Sequence, residues 1–202
     1  MITDISRPIH PHMAIYPQNP AVRITTIREA SSGKTALSEI TLGSHTGTHI
    51  DAPSHIHLGG RGVDVYPLEQ LIGDAQLVEI DPSIETINGQ DIPPTSCERV
   101  LLKTKNSQND IDTFEDSFTA LSEDGAQELL RRNIRLIGID GFSIKKRGVV
   151  DRVHELLLDA GVVVIEGLYL RQAAIGDYRL ICLPLPVVGV DGVPVRAVLD
   201  SR

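Results

Sequence analysis

SHTGTHIDAPSHIH, residues Ser44–His57, concentrates side chains that bind metal ions. The stretch holds four of the seven histidines in the chain, together with one aspartate and no Lys or Arg. Imidazole and carboxylate groups are ligands for zinc, manganese and iron. The stretch therefore predicts a metal site. Its candidate side chains all fall on odd-numbered positions: His45, His49, Asp51, His55 and His57.

The spacing of these residues favours an extended chain over a helix. A period of two places side chains on one face of a strand. A helix would bring His45 and His49 together but would turn Asp51 away, and Gly47 and Pro53 disfavour it. In a straight strand, residues four apart are separated by roughly 13 Å, close to the limit for two imidazoles that share an ion. We therefore expect the chain to bend at Gly47.

Length and composition indicate an ordinary globular protein. The chain has 202 residues, 41% hydrophobic and 23% charged, which predicts a single domain spanning 1–202. The formal net charge of −8 argues against nucleic acid or an anionic membrane as the main partner. No apolar stretch reaches the roughly 20 residues of a membrane span, and the first residues lack the apolar core of a secretory signal. Cys97 and Cys182 form no C-x-x-C pair. We read them as reduced thiols of a cytoplasmic protein.

The order of the predicted elements indicates an α/β protein with mixed sheets. A β-rich first half contains a hairpin, and strands alternate with helices in the second half, which predicts parallel pairing there. The predicted helices are Tyr66–Ile72, 122–132 and Val149–Ala160. The predicted strands are Val22–Glu29, Thr35–Leu42, Ala75–Asp81, Arg99–Lys103, Ile134–Asp140, Val162–Glu166, Tyr178–Leu185 and Val193–Leu199. The segment Pro82–Glu98 is predicted to be a connection or a small helical excursion.

His154 and Glu166 extend the candidate site into the second half of the chain. Glu166 is the last residue of the apolar strand VVVIE. A buried carboxylate is costly unless another group compensates its charge, and a metal ion would do so. The helix that carries His154 packs back along this strand, so the two side chains could meet. The alternative is a helix histidine at the surface and a strand-end glutamate that reaches solvent. The residues alone leave both interpretations open.

The whole chain resembles a known family. SHTGTHIDAPSH is similar to the H-x-G-T-H-x-D-x-P-x-H signature of the cyclase-type metal-dependent hydrolases, which include the bacterial kynurenine formamidases. Further stretches resemble family landmarks in family order: DISRPI, LIGID, VIEGLYL, GDYRLICLPLP and DGVPVRAVL. The resemblance implies a swivelling β/β/α-type fold, which is a single domain with mixed sheets and helices.

The resemblance also implies roles for individual residues. His45, His49 and Asp51 would hold one ion, and Asp51 would bridge to a second ion completed by His154 and Glu166. The implied cofactor is two Zn²⁺ per chain, with Mn²⁺ as an alternative. His55 would be the catalytic acid/base group. His57 matches no family role, and we expect it to flank the site.

The implied activity is hydrolysis of an amide C–N bond in a small molecule, as in an arylformamidase that converts N-formylkynurenine to kynurenine and formate. Three alternatives stay open: a lactam or lactone hydrolase of the isatin-hydrolase type, with one manganese ion instead of two zinc ions; a catalytically silent metal-containing binding protein; and a purely structural cluster. The proline-rich residues 1–20 could reach a neighbouring subunit, which suggests a homodimer or homotetramer.

Two departures from the formamidase pattern concern the substrate. Tyr16-Pro17 stands where formamidases tend to have Trp-Pro, which makes Tyr16 a candidate substrate-binding residue. Lys145 stands where the family usually has a carboxylate, and Lys146 and Arg147 follow it. The three cations indicate either an acidic substrate or a solvated loop. His10 and His12 lie either in the pocket or at the surface. We expect the three phenylalanines in the core: Phe114, Phe118 and Phe142.

Overall fold

A computed structural model describes residues 1–201, and its largest element is a mixed sheet of eight strands. Seven of these strands close into a ring, because β4 and β12 at the two sides of the sheet also pair with each other. The strand β1 extends the sheet beside β12. In spatial order the strands are β1 (Ile2–Asp4), β12 (Gly192–Asp200), β11 (Gly176–Pro184), β5 (Ile72–Glu79), β7 (Arg99–Lys103), β9 (Leu136–Ile139), β10 (Val163–Glu166) and β4 (His49–Asp51).

The neighbouring strands β5, β7, β9 and β10 pair in parallel, and the remaining pairs of the sheet are antiparallel. Every residue of β9 and β10 is buried, as expected for parallel strands that are covered on both faces. The sequence-based prediction of an α/β fold with mixed sheets and parallel pairing in the second half is therefore confirmed.

Two apolar clusters lie on opposite faces of this sheet. Ile50, Val163 and Ile165 belong to the cluster that the closed ring of strands surrounds, together with Leu77 and Leu199. The other cluster contains Val164, Ile137 and Val100 from the sheet, and Leu129 and Leu157 from helices. Because side chains alternate along a strand, the residues on either side of Ile50 and Ile165 leave the sheet on the face that the helices cover.

Three α-helices are present within residues 1–201: α1 (Leu68–Leu71), α2 (Glu123–Arg131) and α3 (Val153–Asp159). The cap predicted for α2 is confirmed, because the Ser122 hydroxyl accepts a hydrogen bond from the Gly125 amide at 3.1 Å. The predicted start of α3 at Val149 is wrong. Val149 and Val150 are exposed β-branched residues with no core to pack against, and such residues are poor helix formers.

Two smaller pairs of strands complete the fold. The predicted hairpin is confirmed as β2 (Arg23–Arg28) and β3 (Leu37–Thr41). The helical excursion predicted within Pro82–Glu98 is confirmed as a 3₁₀ turn at Gly89–Asp91. The segment also contains β6 (Thr86–Ile87), which was not predicted and pairs in parallel with β8 (Ala120–Leu121). The part of the chain that the structure describes contains no helix of the length and apolar character needed to cross a bilayer.

Candidate metal centre

Strands β4 and β10 place three acidic or imidazole side chains on one face of the sheet. Glu166 lies opposite His49 in the antiparallel register, and Asp51 lies opposite Val164. Since Ile50 and Ile165 face the cluster inside the ring, His49, Asp51 and Glu166 project toward the helices. The Nε2 atom of His49 is 3.4 Å from Oε2 of Glu166 and 3.5 Å from Oδ1 of Asp51.

Helix α3 covers this face and contributes His154. Its Nε2 atom is 3.1 Å from Oε1 of Glu166 and 3.4 Å from Oδ2 of Asp51. Burial opposes protonation of this ring, but the two carboxylates outweigh it and raise the pKa of His154 to about 10. The structure thus brings His154 and Glu166 together with the residues of the His-rich stretch, and neither lies at the surface.

The chain bends sharply before β4, which returns His45 to the cluster. Gly47 has a φ of 65°, a left-handed conformation that glycine adopts without strain. The bend brings the ring centroids of His45 and His49 to 4.9 Å from each other. The bend expected at Gly47 is confirmed. The extended conformation expected for the whole stretch is wrong, because only His49–Asp51 is a strand and Pro53–His55 forms a 3₁₀ turn.

His45 lies between two carboxylates. Its Nδ1 atom is 2.9 Å from Oδ1 of Asp51, and its Nε2 atom is 3.0 Å from Oδ2 of Asp191. Burial disfavours the charged ring, but these contacts raise the pKa of His45 to about 9. Sequence reasoning missed Asp191. Asp191 opens the stretch DGVPVRAVL, but nothing in the sequence shows that this strand pairs with β4.

Three buried polar atoms of the cluster make no hydrogen bond of good geometry within residues 1–201, although other ligand atoms of the cluster lie 2.9 to 3.5 Å from them: Nε2 of His49 and both carboxylate oxygens of Asp51. The Asp51 side chain is fully buried and that of His49 is 3% exposed. Leaving such groups unsatisfied is costly, and a divalent cation would satisfy all three atoms. Glu166, in contrast, accepts hydrogen bonds from the Ile144 amide at 2.6 Å and the Ser143 hydroxyl at 3.1 Å.

Within residues 1–201, three overlapping groups of side chains have ligand atoms close enough to share an ion. All three include His45 or Asp51, and the ligand atoms of each group lie within 4.8 Å of one another. The donors are nitrogen and oxygen without sulfur, a set that fits divalent zinc, manganese or iron. The groups are His45 with His49 and Asp51, His45 with His55 and Asp191, and Asp51 with His55 and His154.

His55 borders the cluster and is more accessible than His45, His49 or His154. Its side chain is 33% exposed, and its ring centroid lies 4.2 Å from that of His45 and 5.4 Å from that of His154. Burial lowers the pKa of His55, opposed by the charge of Asp51. The neutral ring is therefore the main form at pH 7.

A cavity of about 320 Å³ opens directly onto this cluster. Tyr16 lines it, as expected for a substrate-binding residue, and its ring packs edge-on against Phe114 with centroids 5.6 Å apart. Phe142 also lines the cavity, so the prediction that it lies in the core is wrong. Phe118, only 1% exposed, is a core residue as predicted.

The three cations of Lys145-Lys146-Arg147 also line this cavity. Lys145 lies 3.4 Å from Asp151, and Arg147 lies 3.0 Å from Asp116. Lys146 differs from both. Its ammonium group donates to the Phe118 carbonyl at 2.6 Å and lies over the Phe118 ring, 5.1 Å from its centroid.

The remaining histidines lie outside this cavity. His10 is 3.0 Å from Asp112, and His12 is exposed. His57 contacts Asp159 at 2.6 Å, with both side chains about half exposed. His57 is close to the site in the sequence, as expected, but its side chain contacts Asp159 on the outer surface of α3 and not the site itself.

The fold is α/β with a mixed sheet, and a buried cluster of histidines and carboxylates opens onto a cavity of small-molecule size. This combination is typical of a metal-dependent hydrolase. The chain belongs to the cyclase family, whose sequence model matches residues 3–146.

Individual relatives match over almost the whole chain. A kynurenine formamidase from Salinibacter ruber is 35% identical, covering 98% of this chain and 96% of the relative. A solved structure described as a potential metal-dependent hydrolase with cyclase activity is 35% identical, covers 100% of this chain and 98% of its own, and superposes with a TM-score of 0.89. Isatin hydrolase A from Labrenzia aggregata shares the fold, with a TM-score of 0.82 at 22% identity, covering 98% of this chain and 93% of its own.

Proposed function

We propose that this protein is a metal-dependent hydrolase of amide C–N bonds other than peptide bonds, and specifically an arylformamidase that converts N-formylkynurenine to kynurenine and formate. The observation that carries the proposal is the contact of His49, Asp51, His154 and Glu166 at the floor of a cavity that Tyr16 lines. The 35% identity to a kynurenine formamidase over 98% of the chain supports the formamide as substrate.

The proposed cofactor is two Zn²⁺ per chain, with Mn²⁺ as the alternative, because the nitrogen and oxygen donors do not choose between them. His45, His49 and Asp51 would hold one ion. His154 and Glu166 would hold the other, with Asp51 and Glu166 shared between both. The orphaned Nε2 of His49 and the orphaned oxygens of Asp51 support this assignment, since each faces the cluster without a hydrogen-bond partner.

A divalent cation in this position would polarise the substrate carbonyl and supply hydroxide at neutral pH. His55 would carry the proton. Its ring is neutral at pH 7 and lies beside the cluster, so it can accept the proton of the attacking water. The same ring would then donate that proton to the leaving amine nitrogen, because an amine departs poorly as an anion.

The cavity wall supports an aromatic substrate that also carries an acidic group. Tyr16 and Phe142 offer flat apolar surface for an aryl ring. Two of the three cations already have carboxylate partners, Lys145 with Asp151 and Arg147 with Asp116. Lys146 forms no ion pair within residues 1–201, so its ammonium group is available to a substrate carboxylate. For Lys146 alone, the absence of an ion pair in the part of the chain that the structure describes favours contact with an acidic substrate over a role as a solvated loop residue.

The main rival is hydrolysis of a cyclic lactam or lactone, as in the isatin hydrolases. It uses the same attack on a carbonyl, which in this case opens a ring, and the likeness in fold to Labrenzia isatin hydrolase supports it. The kcat/KM values for N-formylkynurenine and isatin, measured on the same zinc-loaded preparation, decide between them. We expect N-formylkynurenine to be hydrolysed at least tenfold more efficiently. A preference for isatin overturns the formamidase assignment, and a zinc-loaded protein that hydrolyses neither would favour the catalytically silent binding protein.

We also propose that the protein is a homo-oligomer, with a second copy of the chain covering the hairpin β2–β3. Every residue from Arg23 to Thr41 is exposed, including the cross-strand neighbours Ile24 and Ile40. An isolated two-stranded hairpin is marginally stable in water, so this one needs a partner surface. The expected stoichiometry is a dimer or tetramer.

Sedimentation velocity tests this assembly. Ile40→Asp places a charge on the hairpin and is expected to shift the protein toward monomer. Val188→Asp is the matched control, since Val188 is apolar and 79% exposed but lies outside the hairpin. A monomeric wild-type protein, or an assembly that Ile40→Asp leaves intact, contradicts the proposal.

Two further proposals concern the chain as a whole. One sheet takes strands from both ends of the sequence, β1 and β12, which supports a single domain over 1–202. Cys97 and Cys182 are unpaired thiols, and Cys182 is buried, which supports a reducing compartment such as the cytoplasm.

A further inference from the structure

We infer that Asp191 is a positioning residue for the metal centre. Its side chain holds His45 in the tautomer and orientation needed to bind an ion. This inference rests on the proposed metal centre. It assigns a role to the first residue of DGVPVRAVL, to which neither the spacing nor the family resemblance gave one.

The two nitrogens of the His45 ring face different carboxylates. Nδ1 faces the buried cluster, 2.9 Å from Asp51, and Nε2 faces away from it, 3.0 Å from Asp191. A carboxylate has no proton to donate at neutral pH, so Nε2 must be the N–H donor in the contact with Asp191. Without an ion, Nδ1 also carries a proton, which it directs at Asp51. A bound ion would displace that proton, and the ring, still protonated at Nε2, would present the lone pair of Nδ1 to the cluster. That is the form in which imidazole binds a metal ion.

The backbone fixes Asp191 at this position. Its carbonyl accepts a hydrogen bond from the Ala52 amide at 2.9 Å, one residue after Asp51. The next residue, Gly192, lies opposite Asp51 in the pairing of β12 with β4. Because these contacts use main-chain atoms, Asp191 can lose its side chain while the strand that carries Asp51 keeps its partner.

Gly192 makes room for the same ring. A Cβ atom at position 192 would lie 2.7 Å from Cε1 of His45 and 2.9 Å from its Nε2. The imidazole therefore stands directly over the glycine, with Asp191 at one nitrogen and Asp51 at the other. Asp191 and Gly192 together define one face of the space that His45 occupies.

Zinc affinity measured by competition with a chromogenic chelator tests this inference. Asp191→Ala is expected to weaken zinc binding by about 10- to 100-fold, as is usual when the partner of a metal-bound histidine is removed. Asp191→Asn should lose less, since its amide oxygen can still accept from Nε2. Asp159→Ala is the matched control, because Asp159 contacts His57 in the same way, 2.6 Å from its Nε2 and away from the cluster.

The ¹⁵N chemical shifts of His45 in the zinc-loaded wild type provide a second readout, and are expected to show a protonated Nε2. The inference is overturned if Asp191→Ala binds zinc with an affinity within twofold of the wild type, or if Asp159→Ala loses as much zinc affinity as Asp191→Ala. It is also overturned if the shifts show a protonated Nδ1 on His45. A loss of one whole ion per chain would also overturn it, because Asp191 would then be a ligand. Wild-type protein that binds no zinc would instead refute the metal centre itself.

Discussion

Gly192→Ala is a minimal change aimed at one ligand of the proposed metal centre. Gly192 lies in β12, and its φ is not in the left-handed region, so alanine suits its backbone. The added methyl group would lie 2.7, 2.9 and 3.0 Å from three ring atoms of His45. Carbon atoms in ordinary contact are about 3.5 Å apart, so the ring must retreat by roughly 0.8 Å.

This displacement exceeds the roughly 0.5 Å within which a functional site has to be held. The ring cannot retreat without lengthening its 2.9 Å contact with Asp51 or its 3.0 Å contact with Asp191. We therefore expect zinc to bind about 10- to 100-fold more weakly, as for other losses of ligand orientation. The melting temperature of the metal-free protein should change little, because the pairing of β12 with β4 is preserved.

The assay is chelator competition for zinc together with thermal unfolding of the metal-free protein. Val193→Ala is the control, because Val193 is the next residue along β12 and packs into the apolar cluster on the opposite face. It should lower the melting temperature without changing zinc affinity. If Gly192→Ala binds zinc as tightly as the wild type, or if Val193→Ala weakens zinc binding equally, the proposed constraint on His45 is wrong.

Three further changes separate the roles within the site. His55→Ala should keep its zinc but lose about 10²- to 10⁴-fold in kcat, whereas Asp51→Ala should lose both; equal zinc loss would contradict this division. Lys146→Met should lower kcat/KM for N-formylanthranilate relative to formanilide by about fivefold, the value of one partly exposed ion pair, and Lys105→Met should not. Ser143→Ala removes one hydrogen bond to Glu166 and should weaken zinc binding a few-fold, which titration with the same chelator measures.

The sequence predicted most of the secondary structure because the signals were local. The apolar runs of β9 and β10, the Ser122 cap and the turn between β2 and β3 each depend on a few neighbouring residues. Errors arose where tertiary context decided the outcome. The start of α3 depends on whether Val149 and Val150 find a core, and β6 exists only because β8 pairs with it.

The candidate site was predictable in part for the same reason. Gly47 indicated the bend that brings His45 to His49, and the apolar strand that ends at Glu166 indicated a buried charge in need of compensation. Asp191 was not predictable, since its contact with His45 follows from the pairing of β12 with β4 across the closure of the sheet. The entry of Phe142 into the cavity likewise follows from packing and not from any sequence pattern.

Elemental analysis of the purified protein tests the central claim most directly. That claim is that a bound metal ion is the reason why five side chains lie together: His45, His49, Asp51, His154 and Glu166. We predict two divalent ions per chain in the wild type after exhaustive dialysis against metal-free buffer. The Asp51→Ala variant should retain less than one. A wild-type protein with no stoichiometric metal, also after incubation with zinc or manganese, would contradict the account.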